Sequence, residues 1–110
     1  MLDADRQKLS QYLQRPLSDL EEELTLYAPA ERGPAEVWAK VVGPVRRVIC
    51  EEWRWCEKRQ DNRYDDRLNL AIAVLAILSE RLPQMPLNAE PVLIVAIAVK
   101  MGLDQLCACP

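Results

Sequence analysis

The residues best suited to chemistry in this chain are its four cysteines. Cys50 and Cys56 lie in the middle, and Cys107-Ala108-Cys109 lies near the end. Four thiolates can hold zinc tetrahedrally, but zinc knuckles place two to four residues between paired cysteines, a spacing absent here. Six positions along a continuous helix turn about 600°, which puts Cys50 and Cys56 on different faces. The set that remains is Cys56, Cys107 and Cys109, three sulfurs able to chelate a soft metal or to sense redox state. The plainer alternative makes Cys50 and Cys56 small buried hydrophobes. The opening Met1-Leu2-Asp3-Ala4-Asp5-Arg6 is acidic and lacks the basic and apolar regions of a signal peptide. The expected compartment is therefore the cytoplasm, where cysteines are free thiols rather than disulfides.

A second chemically distinctive string is Trp53-Arg54-Trp55-Cys56-Glu57-Lys58-Arg59. Trp53 continues the spacing of an apolar stripe, whereas Trp55 sits about 200° further round a helix, so Trp53 is expected to be buried and Trp55 exposed. An exposed tryptophan beside cations has the composition of a protein-binding hot spot, with Arg54, Trp55 and Lys58 as its members. The same residue types stack nucleic-acid bases, but Glu51, Glu52, Glu57 and Asp61 interleave with the cations and would repel phosphate. Asp65 and Asp66 point about 100° apart on a helix, so they read as a cap and not as a shared-proton or metal pair.

Catalysis is disfavoured. The chain has no histidine, which removes imidazole acid–base chemistry and mixed Cys/His zinc sites. Ser10, Ser18, Thr25 and Ser79 stand outside any glycine-rich elbow, and no phosphate-cradling glycine loop exists. No enzyme activity and no cofactor are expected.

The elements that must position these groups read as helices. The 110 residues suit one domain; half are hydrophobic and 28% are charged, with three glycines and no phenylalanine. The net charge of −3 is spread without a strongly basic face, which argues against a nucleic-acid partner, and no polybasic segment addresses an anionic membrane. Four stretches follow: acidic N-terminal helices over 1–32, a kinked tryptophan-bearing helix over 33–62, an apolar helical hairpin over 63–106, and the Cys-x-Cys tail over 107–110.

Within the first stretch, Asp3 or Asp5 caps a helix ended by Arg15-Pro16, and Ser18 with Glu21 has capping-box spacing for the next. In the second, Trp38, Val42, Val45, Ile49, Trp53 and Cys56 form one stripe, with a kink or short break at Gly43-Pro44. The hairpin pairs a helix over 65–82 with one over 91–102, the latter opened by Glu90-Pro91 and closed by an αL cap at Gly102, against which Leu103 folds back. Both apolar runs are shorter than the ~20 residues that a membrane crossing needs, so a membrane partner is also disfavoured.

The expected architecture is an all-α domain of four to five helices around that antiparallel hairpin. The expected function is a non-catalytic helical protein–protein interaction module, its partner of unknown identity, that self-associates into a homo-oligomer. The hairpin's thin face of Asn69, Ala73, Ala76 and Glu80 supplies the contact through Ala73 and Ala76. The alternative is a small thiol protein acting through Cys56, Cys107 and Cys109.

Overall fold

The structure is a computed structural model that describes residues 3–28, 30 and 33–110. It is all-α: seven α-helices with short π and 3-10 turns between them, and no strand among the described residues. The helices are α1 (Asp3–Gln14), α2 (Leu17–Thr25), α3 (Pro34–Arg46), α4 (Trp55–Lys58), α5 (Arg67–Arg81), α6 (Pro91–Met101) and α7 (Leu103–Leu106). None is long and apolar enough to cross a membrane.

The hairpin of α5 and α6 is the centre, and α6 is its more deeply buried half. Every residue from Val92 to Val99 is buried, because α1, α2, α5 and α7 all pack on this helix. A helix that is apolar all round belongs inside. Its start follows the expected chemistry, with Pro91 at the first position and the Glu90 carboxylate accepting from the Val92 N–H at 3.4 Å. Gly102 ends it at φ +102 and ψ +117, a left-handed-side geometry but not the αL cap anticipated, and buried Leu103 at once begins α7.

The partner helix α5 is capped by Asp66, whose Oδ1 accepts from the N–H groups of Leu68 and Asn69 at 2.8 and 3.2 Å. Leu70, Ala71, Val74, Leu75 and Leu78 are buried, while Ala76 is exposed and Ile72, Ala73 and Ile77 are half-buried. One apolar face of α5 therefore reaches the surface.

Local starts and breaks differ from the expectations in three places. The Ser18–Glu21 capping box does not form: α2 opens two residues earlier, with Pro16 in the cap position, and the Pro16 carbonyl accepts from Asp19 and Leu20 while Ser18 is exposed. Asp5 lies inside α1 rather than capping it, and the Asp3 side chain falls outside the described residues, as do Pro29, Glu31 and Arg32 of the loop before α3. Finally, α3 continues through Pro44 to Arg46, and the irregularity lies just beyond it. Arg47–Glu52 form a π turn, closed by the Trp53 N–H donating to the Val48 carbonyl at 2.8 Å. The buried stripe of this region is Val37, Val41, Val45, Val48 and Ile49; Trp38 is only half-buried.

Candidate functional site

The π turn decides where the cysteines and tryptophans point. After it the chain does not continue as one helix. Arg54 adopts φ +63 and ψ +56, the left-handed region, and the direction changes before α4 begins at Trp55. The helical rotation used to separate Cys50 from Cys56 therefore does not apply, and both sulfurs meet the C-terminal tail. Cys50 is bonded to Cys107 and Cys56 to Cys109, with Cα–Cα separations of 5.3 and 5.4 Å.

Two expectations fall with this. The cysteines are not free thiols, and Cys56, Cys107 and Cys109 do not form a metal site, since a disulfide sulfur has no thiolate charge to give a metal. Among the described residues no group of three or more Cys, Asp or Glu could hold a metal ion. No signal in the sequence distinguishes this pairing from the other two that four cysteines allow.

The same change of direction reverses the two tryptophans. Trp55 is 5% exposed and its indole N–H donates to Asp104 Oδ1 on α7 at 2.9 Å, whereas Trp53 is half-buried. Trp55 is thus a core residue in this state, not an exposed hot spot. The two indoles stack at 5.8 Å, and the Tyr64 ring meets both edge-on at 5.5 and 5.8 Å. Tyr64 is brought there by the 3-10 turn Asn62–Asp65, which Asp61 caps by accepting from the Arg63 N–H. The Arg63 side-chain hydrogen bond, then the backbone one, holds the Asp61 carboxyl below its ordinary pKa.

Around this cluster the tail is clasped by cations. Arg59 reaches Asp104 Oδ2 at 3.5 Å and donates to the Pro110 carbonyl at 2.7 Å, and Arg46 donates to the Leu106 carbonyl at 3.1 Å. Arg54 is exposed and pairs with Glu57 at 3.0 Å; Lys58 is exposed beside it. Ala73 and Ala76 sit on a different part of the molecule, on the outer face of α5, so the structure does not gather the five expected protein-binding residues into one surface. Asp104, Arg59 and Tyr64 were missed as members of the site because each reaches it only through the tail's return.

The molecule is thus an all-α domain whose C-terminal segment is tied back by two disulfides over an aromatic cluster. Comparison with protein-family models, with curated proteins and with solved structures finds no match.

Proposed function

We propose that the protein is a non-catalytic helical interaction module that pairs with a second copy of itself through α5. The observation that carries this is the outward stripe of exposed Asn69, Ala76 and Glu80 with half-buried Ala73, on a helix whose opposite face is buried in the core. Its spacing of four, three and four residues reads the same from either end. Two copies laid antiparallel about a two-fold axis set each Ala73 against the partner's Ala76 and each Asn69 amide against the partner's Glu80 carboxylate. Alanines allow two helix axes to approach within about 8 Å. Ile72 and Ile77, half-buried on either flank, supply further apolar area, and a two-fold contact is by nature self-complementary.

Sedimentation at micromolar concentration tests the reading. The wild type is expected to be dimeric, and Ala76→Glu, which places an unpaired carboxylate at the contact, is expected to weaken pairing by at least ~100-fold. Asn69→Lys is expected to strengthen it by facing the partner's Glu80. A monomeric wild type, or a dimer indifferent to Ala76→Glu, overturns the proposal.

A further inference from the structure

We propose that the C-terminal Cys-x-Cys is a thiol–disulfide exchange site, reduced by an external dithiol, and that its reduction frees the tail and uncovers Trp55. The two bonds are a clasp between one short segment, residues 50–56, and another, residues 107–109. After buried Leu103, no side chain of the tail is fully buried: Leu106, Cys107 and Cys109 are half-buried, and Ala108 and Pro110 are exposed. The N–H groups of residues 107–109 donate only back to α7. Among the described residues the Arg59–Pro110 bond is the one hydrogen bond between residues 107–110 and the 50–59 region, since Cys56 Sγ, 4.0 Å from the Cys107 carbonyl, has no proton in the disulfide. Sulfur therefore does most of the holding of residues 107–110. Ala108 sits at φ +50, the left-handed C-cap of α7, where its N–H donates to the Gln105 carbonyl and the Cys109 N–H to the Asp104 carbonyl.

The site is reachable. A surface cavity of about 160 Å³ is lined by Cys50, Glu51, Arg54, Cys56 and Glu57, and so touches one cysteine of each bond. The Cys56–Cys109 bond is the first to react. Cys56 is followed by Lys58 and Arg59, and Arg59 contacts the residue next to Cys109; the setting is of mixed charge, with Glu51 and Glu57 at the cavity, but the guanidinium beside Cys109 favours a thiolate departing there. One thiolate of the dithiol attacks Sγ of Cys56. The Cys56–Cys109 bond breaks and its electron pair leaves on Cys109, which takes a proton from water. The second thiol of the reagent, deprotonated by water, then attacks the reagent's own sulfur in the mixed disulfide and releases Cys56 as thiolate, which takes a proton back from water. The net result is two electrons and two protons on the cysteine pair, with the dithiol oxidised to its cyclic disulfide. Cys50–Cys107 opens by the same steps. With both bonds open, α7 is held by buried Leu103, by the Arg46–Leu106 and Arg59–Asp104 contacts and by the Trp55–Asp104 bond. In the proposed opening these polar ties yield, Asp104 leaves the Trp55 indole and the Trp53–Trp55–Tyr64 cluster gains solvent on that side.

The experiment is a titration of the folded protein with dithiothreitol without denaturant, followed by alkylation and mass analysis, with tryptophan fluorescence and far-ultraviolet circular dichroism read in parallel. Cys56 and Cys109 are expected to be alkylated first. Full reduction is expected to shift tryptophan emission to the red while helicity holds, and Trp55→Phe is expected to remove most of that shift without altering alkylation. The proposal is overturned if the bonds resist dithiothreitol until the helices melt, if Cys50–Cys107 opens first, or if full reduction leaves the emission unchanged. A Cys56→Ser/Cys109→Ser variant that remains folded but shows no further emission change on reducing Cys50–Cys107 also overturns it.

Discussion

At the scale of single residues, the two tryptophans show how one backbone torsion redirects side chains. Trp55 has its ring in the core and its N–H on Asp104, so Trp55→Ala creates a cavity and removes one donor to a carboxylate that keeps Arg59 and water. The expected cost is ~3–5 kcal/mol, against about 1–2 kcal/mol for half-buried Trp53→Ala; chemical denaturation of both variants checks the order. Equal costs would mean that the stacked pair behaves as one unit. Helical periodicity ranks them the other way, because it treats Trp38 to Cys56 as one apolar stripe. Nothing in the local residue types announces Arg54 as left-handed, a conformation more usual for glycine or asparagine. Gly102 was easier to read, since a glycine after the last apolar residue of a helix implies positive φ. At φ +102 it has open space around the missing Cβ, so Gly102→Ala meets no clash but adopts a strained backbone. It should lower stability by about 1 kcal/mol or more, measured as a midpoint shift in urea.

At the scale of elements, α1 and α2 are joined by a small polar network. The Tyr12 hydroxyl donates to Glu23 Oε2 at 3.1 Å, Arg15 Nη1 meets Glu23 Oε1 at 2.8 Å, and the Arg15 guanidinium lies 5.3 Å from the Tyr12 ring centre. Burial first, and the Glu23 hydrogen bond second, raise the Tyr12 pKa above its ordinary value near 10. The folded state thus favours the protonated phenol. The stabilisation is complete below pH 10 and is lost as pH rises through the higher folded value, where the unfolded chain has already given up its proton. Unfolding free energy should fall with pH in the alkaline range, and Tyr12→Phe should flatten that fall. A slope unchanged by Tyr12→Phe would assign it to other groups. The helices themselves were legible in the sequence because their signals are local: Pro16 after Arg15, Asp66 before an apolar run, Pro91 at a helix start. The π turn was not, since Gly43-Pro44 marks a weak point without saying whether the helix breaks there or a few residues later.

At the scale of the whole molecule, the apolar runs made the core predictable, and the hidden helix α6 needs no more than its own sequence to be recognised. What closes the fold is not local. Segments about fifty residues apart come together through four sulfurs, and the expectation of free thiols rested on compartment rather than on distance. The two bonds interleave, in the chain order Cys50, Cys56, Cys107, Cys109, so whichever is second in place adds less than the first. Their sequence separations are 57 and 53 residues, so one bond alone closes a long loop and restricts the unfolded chain by about 4 kcal/mol in the chain-entropy picture. Once it is in place, the second closes only the short circuit from Cys50 to Cys56 and from Cys107 to Cys109. That circuit of about eight residues is worth roughly 2–2.5 kcal/mol by the same relation. Cys56→Ser/Cys109→Ser should therefore cost about 2 kcal/mol while Cys50–Cys107 remains, and removing the remaining pair should cost about 4 kcal/mol more. The inverse order of removal should give the same pattern, a small loss and then a large one. Guanidinium melts of the two double variants and of the cysteine-free chain measure this directly. Equal losses at each step would show that the bonds act through local native contacts around the tail, not through restriction of the unfolded chain.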